Sequence, residues 1–149
     1  MSLKERITEE MKAALRAKDS ETLQAIRMLR AAIQRREVDE RISLDDAGVV
    51  GVIQKQVKQS QDAIAQFNQG DRPDLAAKEQ KSIDVLRSYL PAPLSDVEIE
   101  ALIDAAVRET GAASVRDMGK VMANLKQQTA GRADMAAVST RVKTRLSSG

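Results

Sequence analysis

Residues 86–103 read LRSYLPAPLSDVEIEALI. An apolar helical stripe ends at Leu86 and Leu90, and Pro91-Ala92-Pro93 follows at once. Two prolines in three residues stop a helix and stiffen the connection, since each lacks an amide hydrogen and restricts the residue before it. Ser95-Asp96-Val97-Glu98 then has the form of a capping box, in which serine and glutamate each satisfy an orphan amide of the first turn. Ile99, Leu102, Ile103, Ala106 and Val107 recur at helical spacing until Gly111. Asp96, Glu98 and Glu100 lie in the first turns, where the helix dipole favours carboxylates. This stretch therefore predicts a break between an N-terminal helical domain, residues 1–90, and a small second domain, residues 91–149.

Upstream, the same grammar predicts four helices. Ser2 and Glu5 form a capping box ahead of Leu3, Ile7, Met11, Ala14 and Leu15. Asp19 or Ser20 caps a second helix, to about Asp39, with the stripe Leu23, Ile26, Leu29 and Ile33. Arg30 and Glu37 fall within that stripe's arc, either with snorkelling heads or as an inter-helix ion pair. Ser43 with Asp46 resembles a capping box and opens a helix from Leu44 to Gln69, ~38 Å long at the usual rise per residue. Its stripe is Val50, Ile53, Val57 and Ile64, and Gly70 is placed to end it. Its other face is rich in amides, from Gln54 to Gln69, and reads as a solvated surface or an adaptor surface. Arg72-Pro73-Asp74 starts a fourth helix with Pro73 in its first turn, where the missing amide hydrogen costs little. Leu75, Ile83, Leu86 and Leu90 carry its stripe, with Tyr89 beside it. Short connections between amphipathic helices favour an antiparallel bundle.

Downstream, Ser114-Val115-Arg116-Asp117 predicts a capping box and a short helix in which Val115, Met118, Val121, Met122 and Leu125 share one face. Thr129 to Ala133 reads as a turn, with Gly131 at positive φ. Asp134 caps a last helix that turns Met135, Val138, Val142 and Leu146 inward. The fold class is all-α: an N-terminal antiparallel helical bundle followed by a three-helix tail.

From Ser114 onward there are seven basic residues against Asp117 and Asp134, a local net charge of +5 in a chain whose total is +2. Arg116 and Lys120 fall opposite the apolar face of their helix. Gly119 in a short helix costs roughly 0.8–1.0 kcal/mol relative to alanine. Close packing of another helix or approach of a ligand backbone would offset that cost. Arg132 stands by the start of the last helix, suited either to an anion or to an ordinary ion pair.

The chain contains no His and no Cys, which removes His-based triads, thiolate chemistry and the metal patterns built on those residues. Gly119-Lys120 lacks the earlier glycine of a phosphate loop. No catalytic residue, metal or cofactor is predicted. The N-terminus, with Lys4, Glu5 and Arg6, does not read as a signal peptide, and no apolar run is long enough for a membrane span. A cytoplasmic protein is expected. Phe67 and Tyr89 are the only aromatics. The second domain therefore has no ring on which to stack bases, and nucleic-acid binding there would read backbone and shape and would be salt-sensitive.

Tyr89-Leu90-Pro91 with Leu94-Ser95, Asp117-Met118-Gly119-Lys120-Val121-Met122, and Gly131-Arg132-Ala133-Asp134 resemble the GatB/YqeY family, most closely its stand-alone YqeY-like proteins. The resemblance covers the whole chain. It implies an all-helical protein whose tail is similar to that of the GatB subunit of tRNA-dependent amidotransferase, where the tail engages tRNA and chemistry occurs in other domains. Gln127 and Gln128 stand where the family often has proline and lysine, so one phosphate contact is missing. Three functions follow as expectations. The first is a non-catalytic tRNA-interacting accessory protein, with Arg116, Lys120, Lys126, Arg132 and Lys143 contacting phosphates. The second is a component of a carbon–nitrogen ligase activity with glutamine as amido donor, working with aminoacyl-tRNA or amidotransferase machinery. The third is a helical protein–protein adaptor.

Overall fold

The computed structural model describes residues 1–148; Gly149, the last residue that the sequence assigns to the tail, lies outside them. The described chain is all-α, with helices and one 3₁₀ turn as its regular elements. It divides into two compact units, Met1–Leu90 and Pro91–Gly149.

The first unit holds α1 (Leu3–Arg16), α2 (Ser20–Glu40), α3 (Asp46–Gln69) and α4 (Pro73–Arg87). The starts of α1, α2 and α3 follow side chains that accept an orphan amide, whereas α4 opens on Pro73 without a side-chain cap. Ser2 and Glu5 form the capping box of α1, and the Asp19 carboxylate accepts from the Thr22 amide at the start of α2. At α3 the cap differs from the sequence reading. Asp45, not Ser43, caps the helix by accepting from the Gly48 amide at 2.9 Å. Ser43 instead accepts from Lys4 Nζ at 3.2 Å, and Leu44 is buried. The chain leaves α2 through Arg41 at φ 54°, with the Ile42 amide returning to the Glu37 carbonyl at 3.0 Å. That closes the helix end at the cost of a left-handed residue without glycine's freedom.

The core gathers Ile7 of α1, Ile26, Leu29 and Ile33 of α2, Val49, Val52, Ile53 and Val57 of α3, and Ile83 and Leu86 of α4. These are aliphatic throughout, apart from Tyr89 just beyond α4. Two stripe positions depart from the periodic reading. Leu15 is 56% exposed, and in α3 the fully buried turn is Val49 rather than Val50, which is half-buried. α3 is covered on two sides, by α4 and by the α1–α2 pair, so its apolar arc is wider than one stripe.

Polar ties fix the helices' register. Glu37 of α2 accepts from Lys4 Nζ of α1 and from the Leu44 amide, both at 2.7 Å. Lys4 and then the Leu44 amide hold its carboxyl below its ordinary value. The ion-pair reading of the Arg30–Glu37 arc is thus realised by Glu37 with Lys4, while Arg30 reaches only the Met11 sulfur at 3.0 Å. Arg6 bonds Glu10 at 3.0 Å and the Ser88 carbonyl at 3.1 Å, and lies 4.9 Å over the Tyr89 ring.

The Tyr89 hydroxyl is buried beside the Glu10 carboxylate but does not form a well-aligned hydrogen bond with it. Burial first, then the neighbouring Glu10 carboxylate, pushes its ionisation upward. A buried hydroxyl whose hydrogen bond is poorly formed loses much of the roughly 1–3 kcal/mol that full satisfaction would recover. Tyr89→Phe removes that cost and keeps the ring under Arg6. The expected result is a stabilisation of about 1 kcal/mol, read as a rise of about 4–8 °C in thermal unfolding. A fall in melting temperature would mean that the hydroxyl is bonded in solution.

Candidate nucleic-acid interface

The second unit is built from α5 (Asp96–Thr110), a 3₁₀ turn (Val115–Asp117), α6 (Met118–Thr129) and α7 (Met135–Ser148). Ser95 and Glu98 cap α5 reciprocally. Gly111 ends it in the left-handed region at φ 67°. The Asp117 carboxylate accepts from the Ala113 and Ser114 amides at 2.9 and 3.3 Å. Those two bonds, and secondarily the charge of Lys120, lower its pKa. Asp134 accepts from the Ala136 amide at 3.0 Å at the start of α7. Between the helices lie Ile103, Ala106, Val121, Leu125, Val138, Val142 and Leu146. Thr129 is fully buried, with its hydroxyl bonded to the Leu125 carbonyl at 2.9 Å.

The turn between α6 and α7 is clamped to the segment that precedes α5. The Leu94 amide donates to the Arg132 carbonyl at 2.8 Å, and Arg132 Nε donates to the Ala92 carbonyl at 2.9 Å. Arg132 Nη2 lies 3.9 Å from Glu98. Of the two readings left open for Arg132, its ties are to the protein.

Two more basic residues are also matched. Arg141 of α7 forks onto Asp96 at 2.7 Å and Glu100 at 2.9 Å, and Arg145 pairs with Asp104. Asp96, Glu100 and Asp104 stand four residues apart on α5, and Arg141 and Arg145 stand four apart on α7. The pairs form a ladder between two helices, each worth at most about 1 kcal/mol where exposed. The charge excess counted along residues 114–149 is therefore largely offset by α5.

Arg116, Lys120, Lys126 and Lys143 remain. All four are exposed, and none makes a hydrogen bond or a close ion pair among the described residues, although the charge of Lys120 is felt by Asp117. Arg108, at the end of α5, is in the same condition and was not singled out by sequence reasoning. Lys120 and Lys126 border the exposed arc of α6, opposite Val121 and Leu125. Arg116 precedes them on the 3₁₀ turn, and Lys143 stands on α7. Gly119 lies in the first turn of α6, and a Cβ built on it meets nothing within 4 Å. Helix packing does not account for this glycine. Within Asp117 to Met122, then, Asp117 caps, Met118, Val121 and Met122 pack, and Gly119 and Lys120 face solvent.

Fold and site together define a small all-helical protein with a four-helix unit and a separate three-helix unit, the latter carrying unpaired cations. The chain matches the family described as "Yqey-like protein" over residues 4–146, and it belongs to that family. Its relatives include proteins named "Altered inheritance of mitochondria protein 41, mitochondrial". The one from Pyrenophora tritici-repentis is 33% identical over 127 residues, 81% of this chain and 70% of that protein. The one from Saccharomyces cerevisiae S288c is 31% identical over 114 residues, 72% of this chain and 62% of that protein. That from Vanderwaltozyma polyspora is 24% identical over 119 residues, 75% of this chain and 64% of that protein. The chain thus spans roughly two thirds of their length, and less than that in the two yeasts. These names overturn the cytoplasmic expectation, since they point to mitochondria. That expectation rested on the lack of a secretory signal pattern and of a membrane-spanning run, neither of which distinguishes the cytoplasm from a mitochondrial setting.

Proposed function

We propose that the chain is a non-catalytic accessory protein that contacts tRNA through backbone phosphates, using Arg116, Lys120, Lys126 and Lys143 of the second unit. The observation that carries this reading is selective pairing. Three arginines of the same unit are matched by carboxylates or a carbonyl, while these four cations are left in solvent without a hydrogen bond or close ion pair, and Lys120 follows a glycine with open space around it. Arg132 acts as scaffold, holding the α6–α7 turn. Without an aromatic in this unit, contact is with backbone and shape, as suits a folded RNA. The likeness of the tail motifs to those of the GatB tail supports tRNA as the RNA class. The relatives' names support a mitochondrial setting.

The test is a titration against total tRNA at ionic strengths from about 50 to 200 mM, the range over which phosphate contacts lose most affinity. Each lysine in contact contributes about one unit to the slope of log affinity against log salt. Lys120→Ala with Lys126→Ala is expected to lower that slope by about two. Absence of binding at the lowest salt, or a slope unchanged in the double variant, rejects the proposal.

A further inference from the structure

A second feature lies in the first unit. α1 and α2 border an open groove of about 600 Å³. Its floor is apolar, from Ile7 and Ile33, and its walls carry Lys4 and Thr8 on one side and Arg27, Arg30 and Gln34 on the other. Lys4 is neutralised by Glu37 at 2.7 Å. Arg30 has only a thioether sulfur, a weak acceptor, at 3.0 Å. Arg27 has no partner among the described residues. The groove therefore carries two uncompensated guanidinium charges.

Beside it, α2 turns an apolar stripe to solvent. Met28 is 57% exposed and Val38 is 67% exposed. Ala31 and Arg35, both exposed, fall between them at the three- and four-residue spacing of one helix face. α2 is thus apolar on two sides: Ile26, Leu29 and Ile33 enter the core, and Met28, Ala31 and Val38 do not. The second stripe has arginines on it and beside it.

We propose that the α1–α2 groove and the Met28–Val38 stripe dock an acidic amphipathic helix of a partner protein. Its apolar residues cover Met28, Ala31 and Val38, and its carboxylates meet Arg27, Arg30 and Arg35. Charge complementarity selects this occupant, and an apolar stripe flanked by a groove is the surface that helix-in-groove recognition uses. A nucleic-acid backbone fits less well. Phosphates gain nothing from the exposed Met28 and Val38. Guanidinium groups suit carboxylates through paired, parallel hydrogen bonds.

The probe is a fluorescent helical peptide of about 18 residues, five turns long, with leucines at helical spacing and glutamates flanking them. Its controls are the same peptide with lysine for glutamate, and a short duplex RNA. The full chain is expected to bind the glutamate peptide saturably. Arg27→Glu with Arg30→Glu should weaken binding at least about tenfold, and Met28→Ser with Val38→Ser should do the same. Lys120→Ala with Lys126→Ala should leave it unchanged, so the result is separable from that of the tRNA titration. If charge reversal unfolds the chain by circular dichroism, Arg27→Gln with Arg30→Gln replaces it. Equal affinity for the two peptides, no saturable binding of the glutamate peptide, or RNA binding that depends on Arg27 and Arg30 would each overturn the proposal.

Discussion

Leu125→Ala is expected to destabilise the second unit by about 2–5 kcal/mol, the range for truncating a buried leucine. Leu125 is fully buried between α5, α6 and α7. Its carbonyl also accepts the buried Thr129 hydroxyl, so a collapse of α6 toward the cavity strains a hydrogen bond as well. A unit of about 60 residues holds roughly 3–9 kcal/mol in total, and the substitution removes a large share of it. Amide hydrogen exchange along α5, α6 and α7 measures this directly. Lys120→Ala, five residues earlier on the same helix but in solvent, is expected to change exchange by no more than about 0.5 kcal/mol. That contrast separates the buried face of α6 from its exposed face. Unchanged protection in Leu125→Ala would show that the core is not centred on this residue.

The helices themselves were legible because their punctuation is local. Ser2, Asp19, Ser95 and Gly111 stand where the capping rules put them, and the structure uses each at its helix end. The cap of α3 was misread because Ser43 and Asp45 compete within one turn, and the choice rests on Lys4, about forty residues away, which occupies the serine. The second apolar stripe of α2 escaped notice because periodicity shows one dominant face and Met28, Ala31 and Val38 are spread among arginines.

The candidate site was legible as residue types but not as free charges. A count along residues 114–149 cannot see that Arg141 reaches Asp96 and Glu100, more than forty positions earlier. A signal existed: acids at 96, 100 and 104 and arginines at 141 and 145 share a four-residue period on two helices of one small unit. Gly119 lies within a helix, as read, but in its first turn, where backbone amides lack intrahelical partners in any case.

Gly131→Ala is expected to destabilise the second unit by about 2–4 kcal/mol, for a backbone reason rather than a packing one. Gly131 is buried at φ 75°. A side-chain-bearing residue there costs roughly 1–2 kcal/mol. Relief of that strain by rotating φ would redirect the chain at Arg132, whose carbonyl and Nε hold Leu94 and Ala92 at 2.8 and 2.9 Å. Loss of those two bonds adds about 0.5–1.5 kcal/mol each. The Asp134 cap, three residues on, depends on the same path. Asparagine tolerates the left-handed region better than alanine, and valine tolerates it least. Chemical denaturation is therefore expected to rank Gly131 first, then Asn, Ala and Val. An alanine variant as stable as the asparagine one would show that size, not φ, sets the cost. With that order, Arg132 acts by position: Arg132→Lys keeps the charge but loses the Nε bond to Ala92, and should destabilise the unit while leaving the salt slope of tRNA binding at its original value.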